Sequence, residues 1–319
     1  MKRISKFLFV LFLPLFFSAC KNKNANPNQT TVNIAIQPSA AFIPLYIARY
    51  KGFIEEALKP SGVKVNWQDF ESGPPINESL FAELSDIGLL GDVPAVSALA
   101  GAVQMKIVGV PARGPDAYAM LARKRDTSFN SVKDMKGKRI ATVFGSTGHN
   151  LITKLLAKNN LTFEDIELVS IKAGDAENAL ISDLADAVVI WEPNVMRLID
   201  QGTAKIVAKG SDTDLRGTNA FVVRSEYLLN NKDVIKVILE QYKRAVELIP
   251  SIDDETLTKL AGVLKLTGAQ VREISKKYDF SVTVSDKDIA SLEDTVNFLV
   301  QIGNLQTSYD LASKIENLL

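Results

Sequence analysis

The stretch Asp134–Asn150, DMKGKRIATVFGSTGHN, decides the fold class of this chain. Within it, Lys138–Val143 is a short run with Ile, Thr and Val, and Gly145-Ser146-Thr147 separates this run from a helical pattern over Gly148–Asn159. A strand that leads through a glycine turn into a helix is the repeating unit of α/β proteins. We therefore predict one βα unit here, with the two hydroxyl residues at the start of the helix.

The same alternation of short apolar runs and helical patterns continues on both sides of this unit. It predicts an α/β protein with mostly parallel sheets, in which a second unit begins near Arg125. After Tyr227 only helical patterns remain, which predicts a helical C-terminal tail. The predicted strands are Val32–Ile36, Val63–Phe70, Asp86–Leu89, Met105–Val110, Tyr118–Ala122, Lys138–Val143, Ile166–Ile171, Ala187–Ile190, Ala204–Ala208 and Ala220–Val223.

The overall composition excludes several classes of protein. The 319 residues carry 37 Lys and Arg against 37 Asp and Glu, and zero net charge argues against nucleic-acid binding through a basic surface. One Cys and one His cannot build a disulfide, a cysteine-rich zinc site or an iron–sulfur cluster. No Walker-type loop or GxGxxG motif occurs in the sequence. We therefore expect no metal site and no cofactor.

The N-terminus has the pattern of an export signal. Three basic residues precede the apolar run Phe7–Phe17, which is too short to span a membrane. The next residues, Phe17-Ser18-Ala19-Cys20, resemble the lipobox of bacterial lipoproteins, although that motif usually has Leu where this chain has Phe17. We predict a signal peptide over residues 1–19 and lipidation of Cys20. The polar, Asn-rich residues that follow predict a flexible tether over residues 20–31.

Six short motifs, taken together, resemble the substrate-binding proteins of aliphatic-sulfonate, taurine and nitrate importers, a group that includes thiamine-pyrimidine receptors. The resemblance covers the chain from about Val32 to Arg224. The motifs are Ile36-Gln37 with Pro44-Leu45 and Lys51-Gly52-Phe53; Phe70-Glu71-Ser72-Gly73-Pro74; Asp86-Ile87-Gly88 with Gly91-Asp92-Val93-Pro94; Asp134-Met135-Lys136-Gly137-Lys138; Gly145-Ser146-Thr147; and Asp186-Ala187 with Trp191-Glu192-Pro193.

This resemblance implies a two-lobed, type II periplasmic-binding-protein fold with the ligand in the cleft between the lobes. It implies a first lobe over residues 32–117 and 225–319 and a second lobe over residues 118–224. The two interlobe crossings are expected near residues 118–123 and 218–224. Such a protein closes over its ligand by a hinge motion and delivers it to the permease and ATPase of an ABC importer. We expect a monomer, lipid-anchored in the periplasm or on the outer face of the cell membrane.

Two predicted helix starts supply a candidate anion site. Ligands of open α/β sheets bind at the carboxyl ends of the strands, where unpaired N–H groups of helix N-termini attract anions. Ser146 and Thr147 stand at one such start, and Ser72 and Gly73 stand at another, before two prolines. A simple helix cap is the alternative interpretation of each hydroxyl residue. Two helix starts that face one cleft would hold an oxyanion without any cation.

Further ligand contacts are expected at the ends of other strands. Asp92 either caps a helix or binds an amine or another donor group of the ligand. Trp191 is predicted to form a wall for the apolar part of the ligand. Glu192 either balances a ligand cation or pairs with a lysine of the second lobe. The family commonly places a ligand contact at the position of Gln37, and Phe42 either stacks on the ligand or packs under the first helix.

His149 and Arg113 are additional polar residues near this region, and the sequence leaves open whether they touch the ligand. No Ser or Asp motif supports His149 as a catalytic base, so we predict no catalytic residue.

The function predicted from the sequence is the binding of a small organic anion, of the sulfonate or taurine type, for an importer. The alternatives are a receptor for a thiamine-type pyrimidine or another heterocycle, an enzyme on the same fold, and a sensor.

Overall fold

The computed structural model describes residues 30–319. The predicted signal peptide, Cys20 and most of the predicted tether lie outside these residues. Within the described part of the chain, no helix has both the length and the apolar character needed to cross a membrane.

Residues 30–319 form twelve β-strands and twelve α-helices. The strands are β1 (Thr31–Ile36), β2 (Lys64–Asp69), β3 (Ile87–Gly91), β4 (Met105–Gly109), β5 (Ala112–Arg113), β6 (Tyr118–Arg123), β7 (Arg139–Thr142), β8 (Glu167–Ser170), β9 (Ala187–Trp191), β10 (Ala204–Lys209), β11 (Asn219–Arg224) and β12 (Asp279–Phe280). The helices are α1 (Ile43–Tyr50), α2 (Phe53–Leu58), α3 (Gly73–Phe81), α4 (Asp92–Ala100), α5 (Thr147–Lys158), α6 (Ala176–Ile181), α7 (Asn194–Asp200), α8 (Ser225–Asn230), α9 (Lys232–Glu247), α10 (Asp254–Leu264), α11 (Gly268–Ser275) and α12 (Asp286–Gln301).

Two five-stranded sheets form the centres of two lobes. The first sheet has the strand order β2-β1-β3-β11-β4, and the second has the order β10-β6-β9-β7-β8. The two-residue strands β5 and β12 pair with each other in a separate, two-stranded sheet. The strands β3, β6 and β9 are buried along most of their length, and this explains their continuous apolar sequences.

The sheets are mixed, so the expectation of mostly parallel sheets was wrong. Strand β1 is parallel to β2 and β3, and β7 is parallel to β8 and β9. In contrast, β11 is antiparallel to β3 and β4, and β6 is antiparallel to β9 and β10. The pairs Tyr118–Trp191 and Asn219–Gly91 show that β6 and β11 each begin where a neighbouring strand ends. Each of these two strands enters its sheet from the other lobe. It is therefore antiparallel to the neighbouring strand that ends at the same edge of the sheet.

The connections between the lobes lie just before the strands in which we expected them. Residues 118–123 are strand β6 of the second sheet, and residues 218–224 consist mainly of β11, which belongs to the first sheet. The connecting segments are therefore residues 110–117 and 210–218. They touch at Gly114 and Gly217, where a Cβ on Gly217 would lie 2.7 Å from the Gly114 carbonyl oxygen. The sequences of β6 and β11 are apolar because these strands are buried within the sheets, and not because they connect the lobes.

The C-terminal helices pack mainly on the first lobe. Helix α9 packs against α1 and α2, and α12 packs against α4. Helix α12 also reaches α5 of the second lobe. The helical tail is therefore in contact with both lobes.

Candidate functional site

A narrow cavity lies where the carboxyl ends of strands from both sheets meet. Its volume is about 20 Å³, close to the space that one buried water needs. Six of the nine predicted ligand-binding residues line it: Gln37, Phe42, Gly73, Ser146, Thr147 and Trp191. The other lining residues are Ser39, Gly91, Pro94, Tyr118 and Asn219.

The N-terminus of α5 forms the second-lobe side of the cavity. Ser146 is the N-cap residue: its Oγ accepts from the His149 N–H at 3.4 Å and donates to the Val143 carbonyl at 2.7 Å. The Ser146 hydroxyl therefore holds the turn together, as the capping alternative requires. The first N–H groups of a helix have no acceptor within the helix, so those that follow Ser146 are suited to an anion.

The N-terminus of α3 forms part of the first-lobe side. The helix begins at Gly73 and continues with two prolines. Proline has no N–H, but an N–H at these first positions would have no acceptor within the helix, so no helical hydrogen bond is lost. A Cβ on Gly73 would lie 2.5 Å from Pro94 Cγ, so only glycine allows α3 and α4 to approach this closely. Ser72 is the N-cap residue and is buried, but it does not line the cavity and makes no capping hydrogen bond through its side chain.

The remaining cavity wall is polar but uncharged. Gln37, Ser39 and Asn219 contribute amide and hydroxyl groups, and Tyr118 contributes a phenol whose pKa is raised by burial. Trp191 and Phe42 supply aromatic surface. None of the eleven lining residues carries a charged side chain.

Three polar lining residues, Ser39, Tyr118 and Asn219, were not predicted from the sequence. Tyr118 and Asn219 are the first residues of β6 and β11. Both strands arrive from the other lobe, so their first residues lie at the cleft. One sequence signal could have identified Asn219. It is a polar residue that follows a connection between the lobes and directly precedes an apolar run.

Asp92 lies behind the cavity wall and does not line the cavity. Its Oδ1 accepts from Thr147 Oγ1 at 2.5 Å and from the Val93 N–H at 2.8 Å. Its Oδ2 accepts from Asn150 Nδ2 and from Thr295 Oγ1, both at 3.2 Å. Burial raises the pKa of Asp92, and these hydrogen bonds only partly oppose the rise. Because both of its carboxylate oxygens accept hydrogen bonds from protein groups, Asp92 is not placed to bind a ligand amine.

Glu192 is fully buried and is likewise occupied by protein groups. Its carboxylate pairs with the Lys277 ammonium and accepts from the Met196 N–H. The interpretation of Glu192 as the partner of a lysine agrees with this arrangement, but Lys277 follows α11 in the C-terminal part of the chain, not the second lobe. The peptide bond between Glu192 and Pro193 is cis.

Arg113 and His149 do not line the cavity. The Arg113 guanidinium is buried and forms a bidentate pair with Asp288, with N–O distances of 2.8 and 2.7 Å. The His149 ring stacks on Phe144 and meets Phe298 edge-on, and burial lowers its pKa. Within the described residues, no group of His, Cys, Asp and Glu side chains could hold a metal ion.

Two lobes on separate sheets, with a cavity between helix N-termini at the carboxyl ends of their strands, define the fold class of the periplasmic binding proteins. A solved structure of this fold, the alkanesulfonate-binding protein SsuA from Xanthomonas axonopodis pv. citri bound to MOPS, is 26% identical in sequence to this chain. The match covers 92% of this chain and 99% of that protein, with a TM-score of 0.81.

The sequence profile described as NMT1/THI5 like matches residues 39–252, and the chain belongs to this family. A Bacillus subtilis (strain 168) protein, described as an aliphatic sulfonates-binding protein, is 27% identical over 98% of this chain and 95% of its own length. The taurine-binding periplasmic protein of Escherichia coli (strain K12) is 26% identical over 64% of this chain and 62% of its own length.

Proposed function

We propose that this protein is the solute-binding component of an ABC importer and that it binds a small organic anion of the sulfonate type between its lobes. The observation that carries the proposal is the meeting of the α3 and α5 N-termini at one cavity whose lining has no charged side chain. The protein releases its ligand unchanged.

The physical argument rests on the helix N-termini. Both N-termini present the positive end of a helix dipole. The α5 terminus adds N–H groups without helical acceptors, whereas at α3 Pro74 and Pro75 have no N–H and Gly73 supplies the first one. Such a site stabilises an oxyanion and needs no cation. The aromatic surfaces of Trp191 and Phe42 would then bury the apolar part of the ligand.

The carboxylates near the cavity argue against a ligand that carries a cationic amine. Asp92 and Glu192 were the candidates to balance such a group, and both are hydrogen-bonded to other protein groups. An unpaired buried cation is costly. This favours a sulfonate with a neutral tail over taurine and over an amine-bearing pyrimidine.

The relatives support the same ligand class. The SsuA protein and the Bacillus subtilis protein are both described as sulfonate-binding proteins. Both descriptions are of binding proteins, which supports transport without chemistry.

The proposal includes an export route and partners. The protein is exported, cleaved before Cys20 and held to the membrane by lipid on that residue. It works as a monomer that delivers its ligand to a permease driven by an ATPase. No cofactor takes part.

A matched pair of tryptophans offers a direct test of this site. The chain has two Trp residues: Trp191 lines the cavity, whereas Trp67 in β2 donates from Nε1 to Glu55 at 2.7 Å. Titration calorimetry with alkanesulfonates such as 1-propanesulfonate should show binding, and Trp191→Ala should weaken it roughly tenfold to hundredfold, because about 1.5–3 kcal/mol of apolar burial is lost.

Trp67→Ala is the control and should leave the affinity unchanged. Tryptophan fluorescence of Trp67→Phe should still respond to the ligand, and that of Trp191→Phe should not. Binding of an aminopyrimidine with no binding of any sulfonate would instead support the heterocycle receptor.

A further inference from the structure

We propose that Asp92 is an interlobe latch, a positioning residue that holds the two lobes closed around the ligand through Thr147 and Asn150. The proposal rests on the function proposed above for its effect on ligand binding, although its effect on lobe closure is independent of the ligand's identity.

The hydrogen bonds of Asp92 join three separate parts of the chain. Asp92 is the first residue of α4 in the first lobe. Thr147 and Asn150 lie one turn apart on α5 in the second lobe, and Thr295 lies on α12 of the C-terminal tail. All three side chains donate to the Asp92 carboxylate, at 2.5, 3.2 and 3.2 Å.

Two of these donors are available only when the lobes are closed. Movement of the second lobe away from the first would carry Thr147 and Asn150 with α5 and leave Asp92 to water. Closure removes that water, since Asp92 is 1% exposed, and desolvation of a carboxylate is unfavourable unless donors replace the water. Thr147 and Asn150 of α5 supply donors that replace this water.

The backbone around Asp92 is shaped for this close approach. A Cβ on the preceding residue, Gly91, would lie 2.5 Å from Thr147 Oγ1, so a larger residue there would push the lobes apart. Thr295 holds the Asp92 Oδ2 from the side of α12, and its Oγ1 also lies 3.1 Å from the Ser291 carbonyl oxygen. Thr295 and the Val93 N–H thus hold the carboxylate independently of α5.

The latch also reaches the ligand site. Thr147 lines the cavity, and its hydroxyl hydrogen is donated to Asp92. The hydroxyl therefore does not serve as a donor to an anion, and the role of Thr147 is to fix the α5 N-terminus against the first lobe. A ligand that binds the N–H groups of this terminus and a carboxylate that binds its side chain stabilise the same closed arrangement.

The test compares Asp92→Ala with a carboxylate buried inside one lobe. Asp86 is 3% exposed and binds Asn33 and Arg224, which lie on β1 and β11 of the first sheet. We expect Asp92→Ala to raise the dissociation rate of 1-propanesulfonate at least tenfold, with an association rate within about twofold of wild type, because a closed-state interaction is lost. Asp86→Ala should lower the melting temperature and leave the dissociation rate unchanged.

Two further measurements keep the proposal testable if Asp92→Ala does not fold or if 1-propanesulfonate does not bind. Asn150→Ala removes a donor from the other lobe and should also speed dissociation. Small-angle scattering without ligand should show a larger radius of gyration for Asp92→Ala or Asn150→Ala than for wild type and Asp86→Ala.

The outcomes separate the two proposals. Failure of wild type to bind any sulfonate would refute the proposed function, and the scattering comparison would still decide on the latch. An unchanged radius of gyration in both latch variants, or the same expansion in Asp86→Ala, would overturn the latch.

Discussion

Single residues at the cavity determine which ligands the site can accept. Its hydrogen-bonding groups are amides, hydroxyls and peptide N–H groups, all of them neutral, and its two carboxylate neighbours face away into protein contacts. A ligand anion gains from the helix N-termini, whereas a ligand cation finds no counter-charge in the lining.

This lining predicts discrimination between two ligands of nearly identical shape. Taurine and 1-propanesulfonate differ only in an ammonium group in place of a methyl group. We expect 1-propanesulfonate to bind at least tenfold more tightly at pH 7, because the ammonium loses water without gaining a partner. Titration calorimetry measures both affinities.

A pH series provides the control for the taurine comparison. Amines of this kind lose their proton between about pH 8 and 10.4. The ratio of the two affinities should therefore narrow at pH 10, where taurine has a neutral amine. Tighter binding of taurine at pH 7 would show that a carboxylate does reach the ligand.

His149 predicts a pH dependence of stability that one substitution should remove. Burial lowers the pKa of this single His, whereas the unfolded chain has a value near the ordinary 6.5. As the pH falls below about 6.5, the unfolded state takes up a proton before the folded state does, so the free energy of unfolding decreases by up to about 1.4 kcal/mol per pH unit.

The measurement is urea unfolding of wild type and His149→Phe at pH 7, 6 and 5. Phe keeps the contacts with Phe144 and Phe298 and does not titrate. The variant should lose less stability than wild type over this range. Parallel pH profiles would mean that His149 is protonated equally in the folded and unfolded states.

Among the elements, α12 links the parts of the molecule that have to move. Near its start, Asp288 binds Arg113 of the first interlobe connection and Arg216 of the second, each at 2.7 Å. Two turns later, Thr295 reaches Asp92, and Phe298 meets His149 of α5. One face of this helix therefore contacts both connections and both lobes.

The Asp288 carboxylate is expected to be essential for the geometry of the connections. Burial raises its pKa, but hydrogen bonds from Arg113, Ser285 and Arg216 outweigh this effect and hold the pKa well below its usual range. Asp288→Asn leaves the buried Arg113 without its counter-charge, so we expect a loss of about 3–5 kcal/mol in the free energy of unfolding.

Chemical denaturation of Asp288→Asn and of the exposed neighbour Asp286→Asn checks this expectation. Asp286 lies in the same first turn of α12, so it has a similar relation to the helix dipole. A loss below about 1 kcal/mol in both variants would show that the ion pairs contribute little.

At the scale of the whole molecule, the narrow cavity predicts motion. A volume of about 20 Å³ is too small for an alkanesulfonate, so we expect the lobes to separate when the ligand enters. The segments 110–117 and 210–218 are the connections on which such a motion acts, with the latch at Asp92 opposing it.

Membrane attachment is a second property of the whole molecule. If lipid on Cys20 is the anchor, wild type should partition into the detergent phase, and Cys20→Ala should remain in the aqueous phase or accumulate as the uncleaved precursor. Mass spectrometry of the wild-type N-terminus should show the added acyl mass. Equal detergent partitioning of both proteins, with the signal removed in each, would place the anchor elsewhere.

The sequence alone determined the two-lobed α/β architecture and much of the cavity lining. Continuous apolar runs identify buried strands because burial on both faces leaves no position for a polar residue. The run Ala187–Ile190, for example, became β9 with only Trp191 added. Local signals also placed Ser146 and Gly73 at helix starts, because caps and proline positions depend on neighbouring residues only.

Only the tertiary structure decided which way β6 and β11 run and what the buried carboxylates do. Strand direction depends on the end of the sheet at which the chain arrives, and the sequence of a strand is compatible with both directions. Asp92 and Thr295 are 203 residues apart, and Glu192 and Lys277 are 85 residues apart. A carboxylate in a local pattern looks available to a ligand, but its role depends on which donors folding brings to it. For Asp92 and Glu192 those donors come from α5 of the other lobe and from the distant helical tail.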